Sequence, residues 1–463
     1  MTFSALDSDL LGPLFATGAM RACFSDEARL GSMLAAEAAL ARAEARFGLV
    51  PDTLAAAIEA IPPGSLDPAA LGRQTAVSGV PTIPFVKAVQ GRLPPELERG
   101  FHKGATTQDI LDTALVLRVR DALGLIADDL DAILAGLSRL AEAHRGTPCV
   151  GRTYGQHGAP ISFGYKAAVW LTGIAEAADR LPEVRARTLV ASLAGPVGTL
   201  AALGEKGPAV LDAFAGELGL GTTPIAWHAL RGRVAETGAW LVQLTGALAK
   251  MATDVVHLAS TEVGEVTEPY VPGRGGSSAM PHKRNPVSST VILAAHAAAV
   301  GQVGTLFAAM AAQHERPAGL WHAEWHALPP LFGLASGALR EARALAEGMV
   351  LDPERMRANL DITRGLLFAD AVAARLGAAL GREAAHELVE HAAGEVRRTG
   401  DDLRAVLERD PRVREAGLDL APAFDLAPAV AAAGLLADRA IHAAARVRER
   451  LHPPAASDAA SQV

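Results

Sequence analysis

One uncharged stretch constrains this chain more than any other feature: from Val287 to Gln313 there is no Asp, Glu, Lys or Arg. Read as a helix, it has no face to present to water, so it must be covered on every side. A bilayer is one way to cover it, because the stretch is long enough to span hydrocarbon. Its composition argues against that. Alanine dominates, Ser, Thr, Gly, Gln302 and His296 are interspersed, and the Leu/Ile/Phe density and aromatic flanks of a lipid-facing helix are missing. No membrane span is expected. The remaining cover is other helices, at the centre of a large bundle or an oligomer.

The rest of the chain supplies such helices. Aromatics are only 4% of the 463 residues, and Ala, Leu, Glu and Arg prevail, so helix propensity is high and strand propensity low. A mainly α-helical protein is expected. Leu111, Leu115, Val119, Ala122, Ile126, Leu130, Ile133, Leu137 and Leu140 recur by threes and fours and predict a very long helix over 109–144. Leu241, Leu244, Leu248, Met251, Val255 and Leu258 do the same over 231–262. Helices over 162–190 (bent at Pro182), 287–313 and 331–348 complete five long rods. Upstream, Ser25 caps a helix expected to end at Gly48, and 62–95, rich in Pro, Gly and Ser, should be irregular or form short helices. Beyond Asp352-Pro353 shorter helices are expected, including 381–400 and 401–410, with a disordered tail over 453–463. The implied regions are an N-terminal helical domain (1–110), a central long-helix bundle (111–351) and a C-terminal helical domain (352–463).

Charge and cysteine content narrow the partners. Lys plus Arg total 43 against 51 Asp plus Glu, a net charge of −8, the wrong sign for a surface that tracks nucleic-acid phosphates. Cys23 and Cys149 are too few for a disulfide framework. The opening MTFSALDSDLLGPLF lacks the basic flank and clean apolar run of an export signal. The expected setting is reduced and cytoplasmic.

Three polar islands interrupt the rods. The first, His102-Lys103-Gly104-Ala105-Thr106-Thr107-Gln108-Asp109, places hydroxyls, an amide and backbone N–H groups at a helix N-terminus, which suits a carboxylate or phosphate; Thr107 or Asp109 acting only as a cap explains it equally well. The second, Gly151 to Pro160 (GRTYGQHGAP), is loop-like, and a helix-initiating turn with a surface arginine is its plain alternative. The third runs from Pro269 to Pro286. A structureless segment that long between two core helices is uncommon unless it works. Its glycines give hinge freedom, while Ser277, Ser278, Lys283 and Asn285 offer a base or nucleophile, a cation and an amide.

The run GSSAMPHKRNP resembles the signature loop of the fumarase/aspartase/argininosuccinate lyase superfamily, and the other two islands follow that superfamily's order. VPTIPFVKA, FHKGATTQDILDTAL, GRTYGQHGAP and HERPAGLWHAEW most resemble the bacterial 3-carboxy-cis,cis-muconate cycloisomerase family. The resemblance implies an L-aspartase/fumarase-like fold and a homotetramer whose central helices pool into one core, each active site drawing on three subunits. It also implies an intramolecular lyase that lactonises a small tricarboxylate to 4-carboxymuconolactone in protocatechuate degradation. Ser277 takes the role of general base, and Lys283 and Asn285 contact carboxylate. Thr106, Thr107 and Gln108 match a carboxylate clamp with His102 just upstream. Arg152, Gln156, Ser278, Met280 and Arg316 fall at further substrate-facing positions. Carbon–nitrogen lyases such as adenylosuccinate or argininosuccinate lyase are the enzyme alternative, and a catalytically silent helical scaffold the non-enzyme one; the intact Ser277, Lys283 and Asn285 argue against the latter.

Two departures from the superfamily carry information. The segment where adenylosuccinate lyases hold a nucleotide is here the uncharged Thr82-Ile83-Pro84-Phe85, and Tyr154 stands where many of these lyases place a catalytic histidine. An amine or hydroxide must be protonated as it leaves, whereas a carboxylate, with a pKa near ~4, leaves unassisted. Losing that histidine therefore favours lactone chemistry, although His157, three residues on, remains a candidate acid. No metal or organic cofactor is expected. His322 and His326 place Glu324 on roughly the opposite face of a helix, unlike the HExxH arrangement, and no GxGxxG unit is present.

Overall fold

The computed structural model describes residues 3–452, so the tail expectation for 453–463 lies outside the described residues. The rods form where the periodicity puts them. Numbering only the elements that carry the argument, α1 spans Asp26–Arg46, with the Ser25 hydroxyl accepting the Ala28 N–H. α2 spans Thr107–Ala143, α3 Phe163–Asp179, α4 Gly232–Leu258, α5 Val287–Ala309 and α6 Leu320–Gly348. The apolar face of α2 is sealed: Ile110, Ala114, Ile126, Leu130, Ile133 and Leu137 are completely buried. Between Pro62 and Pro95 the chain makes short helices at Pro68–Ser78 and Thr82–Gln90.

Four details depart from the expectations. The helix expected to bend at Pro182 instead breaks at Arg180, and Pro182 sits in the first turn of a new helix, Leu181–Thr188, where its missing N–H costs nothing. The helix expected from residue 331 begins at Leu320 and carries Pro329 and Pro330 inside it. The Gly151–Pro160 island is neither loop nor helix start. It is an antiparallel hairpin, β1 (Pro148–Thr153) with β2 (Gln156–Ser162), closed by Tyr154 and Gly155. Both turn residues have positive φ, 51° and 77°, the backbone of a two-residue hairpin turn that twists with its strands. The fourth narrows an expectation of two alternatives to one: this chain alone does not enclose α5, since only 28% of its most apolar window is buried and Val300 and Phe307 stand half exposed, so the bundle of a single chain is not its cover.

The chain divides into two compact units, each discontinuous in sequence. One comprises 1–130, 177–246 and 291–340; the other comprises 131–176, 247–290 and 341–463. The first is organised around buried charge. Arg231 is fully buried and donates to Asp112 at 2.8 and 3.2 Å and to Glu324 at 2.8 and 2.5 Å. Trp321 Nε1 adds a bond to Asp112 Oδ1 at 3.0 Å, so the acids are committed to this network. In the second unit, helix Ala427–Leu451 packs on β2 and is tied by Arg145 to Asp438 (2.7 Å) and by Arg448 to Asp131 (2.7 Å). A separate apolar cluster there includes Val372, Leu376, Leu388, Leu403 and Leu407.

Breaking a buried ion network by removing its centre leaves uncompensated charge. Arg231→Met strands Asp112 and Glu324 together and is expected to cost about 3–5 kcal/mol, read as a lowered urea midpoint. A midpoint equal to that of the parent protein contradicts the structural role given to this network.

Candidate active site

In the first unit, the start of α2 is built around Asp109. Its carboxylate is fully buried and accepts the N–H groups of Thr106 (2.9 Å), Ala194 (2.9 Å) and Gly195 (3.0 Å), together with the His228 ring nitrogen Nε2 at 2.7 Å. An acid at the first turn of a helix is favoured by the exposed N–H groups there. Here it also draws the 192–195 loop against the 105–107 turn. Arg316 completes this corner, donating to Thr106 Oγ1 and to the Pro196 carbonyl, both at 3.1 Å. Thr106, Thr107 and Arg316 are thus brought together and partly exposed. Gln108 is not exposed: it is fully buried, and its amide donates to Asp112 (3.1 Å) and to the His228 carbonyl (2.9 Å).

His102 adopts a left-handed backbone (φ 58°) and bonds through Nδ1 to the buried carboxylate of Glu37 at 2.6 Å. Burial alone lowers the imidazole pKa, but the charge and hydrogen bond of Glu37, with Asp109 further off, overcome it and raise it above the ordinary value. The nearby Glu44 is pushed by burial up to about 8.

In the second unit, the hairpin carries the second island. Arg152 reaches inward and forms a two-pronged pair with Glu265, at 2.5 and 3.1 Å, and Asn359 donates to the same carboxylate at 2.8 Å. Its guanidinium is therefore already partnered. Tyr154, at the tip, is completely exposed, Gln156 is exposed and His157 is partly covered. Burial and the charge of Arg152 hold the His157 pKa below its usual value against a smaller opposing pull from Glu265. His157 is therefore predominantly neutral near pH 7.

The 269–286 segment is a loop fastened at its ends. Glu268 accepts the N–H groups of Ser288 and Ser289, both at 2.8 Å, and caps α5. Arg274 pairs with the buried Glu341 and donates to Ser288 Oγ at 3.0 Å. Gly275 (φ 71°) closes the base, because a Cβ there would lie 2.7 Å from the Asn285 carbonyl. Between these anchors, Ser277 Oγ accepts the N–H groups of Ala279 (3.3 Å) and Met280 (3.2 Å). Ser278, Met280, Lys283 and Asn285 are exposed. Two N–H dipoles aimed at a hydroxyl oxygen favour its anionic form, as a base needs.

Residues 15–301 match the family described as Lyase, and residues 365–440 match Adenylosuccinate lyase C-terminus. The chain belongs to the lyase family. It is 48% identical to the 3-carboxy-cis,cis-muconate cycloisomerase of Pseudomonas aeruginosa over 88% of this chain and 89% of that one. It is 43% identical to the nitrosuccinate lyase of Streptomyces davaonensis over 95% of both. The crystal structure of the 3-carboxy-cis,cis-muconate lactonizing enzyme from Pseudomonas putida superposes with a TM-score of 0.91 at 45% identity, covering 95% of this chain and 100% of that chain. The fold is that of a fumarase/aspartase-like lyase.

Several residues that organise the site were not singled out from the sequence: Glu37, His228, Glu265, Glu268, Arg274 and Glu341. Glu37 carried a readable signal, as an acid within an alanine-rich helical run. The others declare themselves only through partners far along the chain.

The Glu37–His102 pair makes stability depend on pH. A raised histidine pKa stabilises the fold fully below the unfolded value of about 6.5 and the benefit is lost as pH rises through the folded value. Urea midpoints should therefore decline as pH rises above about 6.5, Glu44, raised to about 8, adding to the fall, and Glu37→Gln, which removes a cause of both shifts, should flatten that decline. An undiminished decline in the variant would assign it to other groups.

Proposed function

We propose that this protein is a 3-carboxy-cis,cis-muconate cycloisomerase, an intramolecular lyase of protocatechuate breakdown. The likeness to the Pseudomonas aeruginosa cycloisomerase over most of both chains carries this reading. In the lactonising direction a substrate carboxylate oxygen adds to the β-carbon of a conjugated double bond. The electron pair moves onto the distal carboxylate as an enediolate, and Ser277 Oγ delivers a proton to the α-carbon. In reverse, Ser277 as alkoxide removes that proton while the ring carboxylate departs. The N–H groups of Ala279 and Met280 support the alkoxide. Lys283, which makes no ion pair among the described residues, and Asn285 supply the enediolate's counter-charge and hydrogen bonds; in the shared site proposed below, Thr106, Thr107 and Arg316 come from another copy.

Tyr154 supports this choice of leaving group. At the hairpin tip it presents an exposed phenol where an amine-expelling lyase of this family places an imidazole. Thr82 and Phe85, at the start of their helix, are buried and uncharged, so that segment has no cation for a nucleotide phosphate. A second reading has one specific support, the 43% identity with a nitrosuccinate lyase over 95% of both chains. Nitrite also leaves as a weakly basic anion, so the missing acid accommodates that elimination too. Ultraviolet assays with each substrate separate the two readings.

We further propose a cytoplasmic homotetramer, with α5 covered by other copies and active sites shared between chains. The three regions 1–110, 111–351 and 352–463 follow from the same family likeness. The bare apolar face of α5 supports the assembly, since a helix without charges gains about 25 cal/mol per Å² of apolar surface when a second copy covers it.

Purified protein should turn over 3-carboxy-cis,cis-muconate without added metal, and Ser277→Ala should lower kcat by about 10²–10⁴-fold with the fold intact. Tyr154→Phe should keep a substantial fraction of activity; a loss of ~10³-fold or more would show that its hydroxyl moves a proton. Mixing Ser277→Ala with Gln156→Ala should restore partial activity through hybrid sites, and no recovery would count against shared sites.

A further inference from the structure

Two arginines of the first unit lie outside everything described so far. Arg118, on α2, is 4% exposed. Its Nε donates to the Ala114 carbonyl of its own helix at 3.2 Å, and its Nη1 is buried without any partner. Arg29, on α1, buries its Nε likewise unpartnered. Among the described residues neither makes an ion pair within 4 Å; the Asp26 charge acts on both from farther away, and the Phe24 ring lies 5.8 Å from Arg118 Cζ. Buried arginine is ordinarily paired, because an isolated buried charge costs several kcal/mol.

Both side chains line one cavity of about 20 Å³, together with Leu111, Asp112, Leu115 and Glu324. That volume admits one particle near the size of a water molecule and excludes a phosphate. The two acids in its wall do not compensate the arginines. Asp112 and Glu324 already receive Arg231, and the third nearby carboxylate, Asp26, is exposed and acts on Arg29 and Arg118 from beyond 4 Å, so the cavity wall itself sets three cations against two carboxylates. A water molecule can accept an N–H bond but leaves the two cations repelling each other. A monatomic anion accepts from both and cancels the surplus charge.

We propose that Arg29 and Arg118 form a buried binding site for a halide, chloride under ordinary conditions, that ties α1 to α2. Burial, and for Arg118 the neighbouring Arg29 charge, now hold both guanidinium pKa values below normal, that of Arg118 at about 9; a bound anion relieves this strain. A ligand that binds only the folded state stabilises it by mass action.

The test compares thermal midpoints in sodium chloride and sodium gluconate at equal ionic strength and pH. The wild-type midpoint should rise saturably with chloride, by at least ~2 °C. Arg118→Met should lose this response and melt in gluconate no lower than wild type, since an apolar replacement removes an unpaired buried charge. If Arg118→Met fails to fold, Arg29→Gln serves in its place and should likewise lose the response. Crystals grown in bromide should show an anomalous peak between the two guanidinium groups. Equal midpoints in the two salts, a chloride response that survives either substitution, or a water molecule or a second copy's carboxylate at the bromide position would each overturn the proposal.

Discussion

The Asp109 carboxylate is the interaction on which the polar corner of the first unit depends. It stands at the first turn of α2, where the helix's own N–H groups favour an anion, and gathers donors from three separate segments: Thr106, the 194–195 loop and His228. Without it, the Thr106 hydroxyl and the Pro196 carbonyl that Arg316 bridges would not be held in one place. The group that the sequence offers as a plain helix cap is thus also what assembles the carboxylate-facing corner. Capping and site-building are the same set of hydrogen bonds.

Two other buried acids divide the labour differently. Asp112, one turn along α2, is turned wholly to Arg231, Trp321 and Gln108 and has no capacity left for a ligand. Arg152 is similar in the second unit: Glu265 occupies its guanidinium with geometry suited to any planar carboxylate. Of the cations near the three islands, Lys283 is solvent-facing and unpaired among the described residues, whereas Arg316 is partly spent on Thr106. Positive charge available to a substrate is therefore concentrated in the loop that also holds Ser277.

The rods were legible because their information is local: steps of three and four along α2 and α4 need no knowledge of the partner surface. The hairpin was not. Its residues, PCVGRT and QHGAPIS, hold few β-branched side chains, and the tight turn uses tyrosine where asparagine or glycine would have announced it. Site residues divided along the same line. Ser277, Lys283 and Asn285 stand within one short contiguous motif and could be named from it. Gln108 and Arg152 sit in equally suggestive motifs, but which way each side chain turns is decided by the His228 carbonyl and by Glu265, both distant in sequence. Spacing identifies a polar residue and its helix phase, whereas its commitment to an internal partner is a tertiary fact.

The loop between Glu268 and Val287 is held like a clasped bracelet. Glu268, Arg274 and Glu341 fasten it outside the reacting residues, and Gly275 admits no side chain because the Asn285 backbone fills the space. Inside these fastenings Gly276 and Arg284 pair across the loop and the Arg284 guanidinium lies over the Tyr270 ring, 5.3 Å from its centre, so the segment from Ser277 to Lys283 is relieved of holding the loop in place. Its side chains are left to face the substrate. A lyase scaffold fastened in this way keeps the base-bearing beads at one address whatever group departs, so a change of leaving group can be made on the surfaces that face the loop while the bracelet itself stays the same.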